Sequence, residues 1–219
     1  MSPIPCRRRF ATVCLLLLLA FLQACASTAP VPDFRYFRFG EPAPVSRLTT
    51  PSLGLPLVVE PFRADGVMGE RPILYATRNE TVRLSQYHYQ LWNDPPPVLV
   101  RQRLLDQLAA AAVAPLVTER LSPRVQAYRL QGRIEEFQRV RGAEGDQVVV
   151  SVLLRLERDQ VGMPLIERRY RKQLTVPGEG IEAAALTFGQ AVDALFNDLL
   201  VDLSALPAEQ RIAREHAGA

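Results

Sequence analysis

Between residues 34 and 207 the apolar positions switch repeatedly from a period of two to a period near 3.6, the marks of strand and helix. Phe34-Arg35-Tyr36-Phe37-Arg38-Phe39, closed by Gly40, predicts a first, aromatic strand. The stretch 41–54 holds three prolines and several Ser/Thr and reads as loop. Leu55 to Phe62 predicts a second strand with Pro56 and Pro61 at its ends. Arg71 to Thr77 and Thr81 to Trp92 predict a hairpin about Arg78-Asn79-Glu80, with Leu84, Tyr87, Tyr89 and Leu91 as the large apolar positions of the second arm. Asp94 ahead of Pro95-Pro96-Pro97 predicts a helix start with Asp94 as N-cap. Val98, Arg101, Leu104, Leu105, Leu108 and Ala112 then recur at helical spacing, Arg103 and Gln107 fall off that stripe, and Pro115 limits the helix.

After a connector over Val117 to Pro123, three strands follow. Tyr128 to Glu135 alternates as a half-buried strand, and Gly142 to Asp146 turns. Gln147 to Arg158 is apolar on both faces, which predicts a central position in the sheet. Val161-Gly162-Met163-Pro164 turns again, and Leu165 to Val176 alternates as a one-sided strand. Past Gly178-Glu179-Gly180, a broad stripe from Ile181 through Phe188, Val192 and Phe196 to Leu203 predicts the longest helix, ended by Pro207. The fold class is α/β of the α+β kind: an antiparallel or mixed β-sheet with two α-helices packed on one face.

The first 24 residues change what charge and cysteine content mean. Arg7, Arg8 and Arg9 precede the unbroken apolar run Phe10 to Leu22, as in a secretory signal. That run is 13 residues, roughly 20 Å as a helix, against about 30 Å of hydrocarbon to cross. Without residues 1–24 the chain carries 23 basic and 23 acidic residues, so overall charge gives no case for a nucleic-acid partner. Cys6 and Cys14 leave with the signal, and a lipidated Cys25 leaves no thiol for a disulfide, a zinc cluster or a nucleophile. His88 and His216 are the only histidines and lack ligand spacing, so neither a metal nor a cofactor is expected.

Leu22-Gln23-Ala24-Cys25 resembles the lipobox of bacterial lipoproteins, with Gln23 replacing the small residue usual at its position. The resemblance implies cleavage between Ala24 and Cys25, acylation of Cys25, and, with Ala26 next, sorting to the outer membrane. The divisions expected are a signal over 1–24, a lipidated tether over 25–33, a folded domain over 34–206 and a polar tail over 207–219. More widely, the chain resembles the ABC-type transport auxiliary lipoproteins, outer-membrane partners of Pqi-like and related MCE lipid-transport systems. The matching pieces are the lipobox, the strand Phe34 to Phe39, the second strand, the closing helix and two short runs. One is Ser85-Gln86-Tyr87-His88-Tyr89-Gln90-Leu91-Trp92 before prolines, where some members space Tyr and Trp more closely; the other is Gly132-Arg133-Ile134-Glu135-Glu136-Phe137. The resemblance implies a sandwich like the N-terminal domain of TolB. It also implies a non-enzymatic role beside an MCE-domain protein, an inner-membrane permease and an ATPase, moving phospholipid or another lipid across the periplasm.

The remaining motifs are weak. Gly178-x-Gly180-x-x-Ala183 mimics a dinucleotide fingerprint, but the helix it opens is the last element, with Glu179 and Glu182 beside it. Ser85 and His88, three apart on a strand, point to opposite faces and do not pair as nucleophile and base. Tyr87, Tyr89 and Trp92 are candidate lipid or partner contacts, with core packing the plainer reading for Tyr87 and Trp92. Arg168, Arg169, Arg171 and Lys172 form the one dense basic cluster; Arg168 and Arg171 are its candidate contacts, and a solvated face is the plainer reading. The expected role is a docking module at the periplasmic face of the outer membrane that presents an edge strand or a homo-oligomer interface. The alternatives are a lipid carrier with its own acyl-chain cavity, or an anchored hydrolase.

Overall fold

The computed structural model describes residues 32–159 and 163–207. The chain divides into two compact units, Met1–Asp33 and Phe34–Ala219, and all elements below belong to the second. The expected signal, Ala24, Cys25 and most of the tether, turn residues Val161 and Gly162, and the tail beyond Pro207 lie outside the described residues.

One mixed sheet contains nine strands: β1 (Arg35–Phe37), β2 (Leu57–Val59), β3 (Arg63–Ala64), β4 (Pro72–Thr77), β5 (Glu80–Trp92), β6 (Val117–Thr118), β7 (Tyr128–Arg141), β8 (Gln147–Arg158) and β9 (Ile166–Thr175). Two helices, α1 (Pro96–Ala111) and α2 (Ile181–Ala205), share a single apolar core with one face of it, as the pattern predicts. Strand β7 is the spine. Along one edge it pairs antiparallel with β8, which pairs antiparallel with β9. Along its other edge β2, β3 and β4 lie in succession, each parallel to it. Strand β5 folds back on β4, and β1 pairs parallel with the end of β5, Phe37 opposite Trp92.

The pairing explains the patterns. Strand β8 has partners on both edges, and Val148, Val150, Val152, Leu154 and Leu156 are all buried in the core it shares with the helices. Strand β7 runs past Glu135, the predicted end, and the alternation breaks there because a bulge lies between Ile134 and Glu136. An extra residue there shifts the inward positions from even (Tyr128, Leu130, Ile134) to odd (Phe137). Opposite Gly132 the Phe62 ring is so close that a Cβ would lie 2.6 Å from it, so only glycine fits. The second strand is shorter than predicted, Leu57–Val59 between the two prolines, and a separate two-residue β3 follows Pro61 beyond the predicted span.

Helix α1 departs from its predicted face. Its buried positions are Pro96, Pro97, Val100, Leu104, Gln107, Leu108 and Ala111, whereas Val98 is exposed. Its N-cap is Pro95 with no side-chain cap, and Asp94 instead accepts a hydrogen bond from Asn93 Nδ2 at 2.7 Å. The helix ends where Ala112 turns left-handed, at φ 53°.

Between sheet and helices the core closes on rings. Phe137 stacks on Phe188 at 4.5 Å, and Trp92 meets Phe188 edge-on at 5.2 Å and Phe137 at 5.6 Å. Phe39 adds a fourth ring 5.6 Å from Trp92. Trp92, 1% exposed, is therefore a core residue that fixes β5 against α2. Trp92→Ala is expected to cost about 3–5 kcal/mol of stability, measured by chemical denaturation; a loss below about 1 kcal/mol would contradict this packing.

Candidate partner interface

A buried ion pair positions the surface of interest. Asp193 of α2 accepts two hydrogen bonds from Arg103 of α1 (Nε to Oδ1, 2.8 Å; Nη2 to Oδ2, 3.0 Å). Gln107 Nε2 adds a third at 2.7 Å, and the Ala43 amide a fourth at 3.0 Å. Arg103 also donates to the Gly40 and Glu41 carbonyls at 2.8 and 3.0 Å. One carboxylate thus ties both helices to the segment that follows β1. Gly189 permits the close approach: a Cβ there would sit 3.1 Å from Phe39 Cβ. Arg103 and Gln107, placed off the apolar stripe by sequence, are drawn inside by this acid.

Strand β1 is only three residues long and pairs with β5 alone. Arg71 holds the pair from behind, its guanidinium 5.0 Å from the Tyr36 ring centre while its Nε donates to the Trp92 carbonyl at 3.0 Å. On this edge large rings face water: Phe34 is 56% and Tyr36 57% exposed. Tyr89, 37% exposed, meets Phe34 at 5.6 Å. Beside Tyr36 a shallow depression of about 450 Å³ is lined by Arg35, Arg38, Glu182 and Leu186 among others. Leu186 is 53% exposed although it stands on the core helix. Arg35 and Arg38 are exposed and enter none of the ion pairs seen among the described residues.

The basic cluster on β9 is a different kind of surface. Arg168 pairs with Asp202 (2.8 and 3.0 Å) and Lys172 with Asp198 (2.8 Å), both acids on α2. On the other face Arg171 bonds Glu136 at 2.6 Å, and Arg169 binds Glu135. Every cation of the cluster has a carboxylate partner, so it is a stapled edge strand rather than a bare cationic patch. Tyr170 joins the staple: burial pushes its hydroxyl pKa up, and the hydrogen bond it donates to Asp202 Oδ2 at 2.5 Å pushes it further. The Arg169 hydrogen bond holds the Glu135 carboxyl below its ordinary range, against a smaller upward push from burial.

The predicted contact residues therefore separate. Trp92 is core. Tyr87 is half-buried; its ring packs 4.6 Å from Tyr75, and its hydroxyl accepts from Arg139 Nη1 at 3.3 Å. Arg139, itself buried, bonds Asp146 at 2.6 Å. Arg168 and Arg171 are committed to ion pairs. Tyr89 alone of the aromatic trio lies in an exposed patch, where it is joined by Phe34 and Tyr36, which the sequence placed in the first strand, and by Leu186, which the sequence reading did not single out. Cys25 and Ala24 are outside the described residues. Among those residues no group of three or more His, Cys, Asp or Glu gathers as a metal site, and no helix is long and apolar enough to cross a membrane.

Residues 37–199 match the family described as ABC-type transport auxiliary lipoprotein component. No curated protein matches the chain. Among solved structures, protein XCC0632 from Xanthomonas campestris is similar at a TM-score of 0.65 and 15% identity, covering 76% of this chain and 92% of that one. An uncharacterized protein is similar at a TM-score of 0.60 and 16% identity, covering 79% of this chain and all of the other. At these identities the likeness is one of fold.

The β9 staple has a signature in acid. Glu135 titrates lower folded than its ordinary 4.5. Its contribution to stability is therefore present above that ordinary value and is lost as pH falls through the lower folded value. Glu135→Gln is expected to flatten that part of the acid limb in denaturation curves; an unchanged limb would contradict the pairing. Arg168→Ala and Arg171→Ala, both exposed, are each expected to change stability by less than about 1 kcal/mol.

Proposed function

The chain belongs to the ABC-type transport auxiliary lipoprotein component family, and from that premise we propose that it is a non-catalytic docking component of an MCE-type lipid-transport system. Cys25, acylated after cleavage behind Ala24, anchors it to the periplasmic face of the outer membrane. The folded domain meets a periplasmic MCE-domain protein, which links it to a permease and an ATPase at the inner membrane. Phospholipid is the cargo of the assembly, and the energy is supplied elsewhere.

The family match carries this reading. The filled interior favours docking over carrying: Trp92, Phe137, Phe188 and Phe196 occupy the space between sheet and helices where a carrier would need an acyl-chain cavity. A docking role also suits a fold whose edge strands β9 and β1 differ so sharply, β9 stapled by ion pairs and β1 short, aromatic and exposed.

The test is affinity purification of the mature, acylated chain from crosslinked membranes, with lipid extraction of the same sample. An MCE-domain protein in near-stoichiometric amount, with less than one non-covalent phospholipid per chain, is expected. About one phospholipid per chain and no MCE protein would replace docking with carriage. Native mass of the same sample reads the oligomer number.

A further inference from the structure

We infer that the β1 edge, formed by Phe34, Tyr36, Tyr89 and Leu186 and rimmed by Arg35 and Arg38, seats on the surface of a phospholipid bilayer. The inference rests on the reading of Cys25 as the acylated anchor and names the face that this anchor turns toward the membrane.

Chain length supplies the first support. Phe34 follows Cys25 by nine residues, which span about 30 Å at full extension. A tether that short keeps Phe34 within about 30 Å of the bilayer, and the patch begins at that residue, which raises its local concentration at the membrane surface. Composition supplies the second. Tyr and Phe on a polar edge are suited to the headgroup level, where an apolar ring body and a polar tip are both satisfied. Arg35 and Arg38 are exposed at this edge, in reach of lipid phosphates while their stems cover apolar surface, and Arg71 is occupied by the Tyr36 ring and the Trp92 carbonyl. Glu182 is the one acid lining the adjoining depression. Backbone supplies the third. Strand β1 exposes a three-residue edge, so few unpaired main-chain groups meet the interface, where water still reaches them. The long edge of β9, with its charges fixed in pairs, would be a poor seat.

The occupant argued for is a membrane rather than a second copy meeting patch to patch, because Arg35 and Arg38 are exposed beside the rings and outside the ion pairs seen among the described residues, while Glu182 and Asp33 are the acids nearest them in the depression and along the chain. Two copies meeting patch to patch would bring like charges together.

The test uses the full mature, acylated chain with a nitroxide on a cysteine introduced at Leu186, and a control label at Val201, exposed farther along the same helix. Collision rates with oxygen and with a water-soluble nickel chelate are measured before and after addition of phosphatidylethanolamine–phosphatidylglycerol vesicles. On adding vesicles, the label at 186 is expected to gain oxygen accessibility and lose nickel accessibility several-fold, with the label at 201 unchanged. Combining Phe34→Ser, Tyr36→Ser and Tyr89→Ser is expected to abolish that change while the protein still floats with vesicles and melts as wild type does. Equal responses at 186 and 201 would overturn the seat, as would protection at 186 before vesicles are added, which means a second copy or another part of the chain covers it. Failure of the anchor reading looks different: no acyl mass on the amino terminus, and no difference in flotation between wild type and Cys25→Ser.

Discussion

A single buried carboxylate, Asp193, holds the pieces of this fold in their working arrangement. It is 6% exposed and accepts hydrogen bonds from Arg103, Gln107 and the Ala43 amide, so its charge is compensated from α1 and from the segment after β1 at once. Desolvating such a pair costs much of what its attraction returns, so its value is not mainly net stability. Its value is geometry. The bidentate Arg103 contact fixes the crossing of the two helices, and the remaining donors of the same guanidinium fix the Gly40 and Glu41 carbonyls. No apolar replacement would hold all three segments with the same directionality.

What that lock holds in place is the exposed edge. Strand β1 has three residues and one partner, too little ladder to be stable alone. It is kept by Phe37 and Phe39 packing on the core, by Gly189 opening room on α2, and by the Asp193 network immediately downstream. The rest of the charge is spent differently. On β9 long cations meet acids on both faces, blunting an edge that would otherwise invite pairing with another strand. One edge is thus closed by charge, while the other is left aromatic and open.

Much of this was legible in sequence, because period follows burial. Strand β8 spans the residues its two-sided apolar run predicted, and the β4–β5 hairpin and α2 match their patterns to within a residue or two. The failures have local causes. The bulge at Glu135 hid the second half of β7 by flipping its parity. Val98 fell on the wrong face of α1 because Arg103 and Gln107, polar by type, are buried by a partner 90 and 86 residues away. Asp193 inside the apolar stripe of α2 was the available clue, an acid that a core helix does not bury unpaired. The candidate surface was half legible: Tyr89 was a candidate contact, Phe34 and Tyr36 read as ordinary strand residues, and Leu186, off the apolar stripe of its helix, carried no signal of its own. Exposure of an edge depends on which strand lies outermost, and alternation along one strand does not encode its neighbours.

A family of transport auxiliary lipoproteins, a ring-filled interior and an edge kept open by a buried lock are consistent with the docking role proposed above. The lock is the part most open to direct test. Amide hydrogen exchange is measured across the chain in wild type and in Asp193→Asn, which keeps the shape and removes the charge. The expected result is loss of protection at Ala43 and faster exchange through β1, with β7 and β8 unchanged. Exchange over residues 35–43 identical to wild type, or loosening spread equally into β7 and β8, would contradict the role given to Asp193.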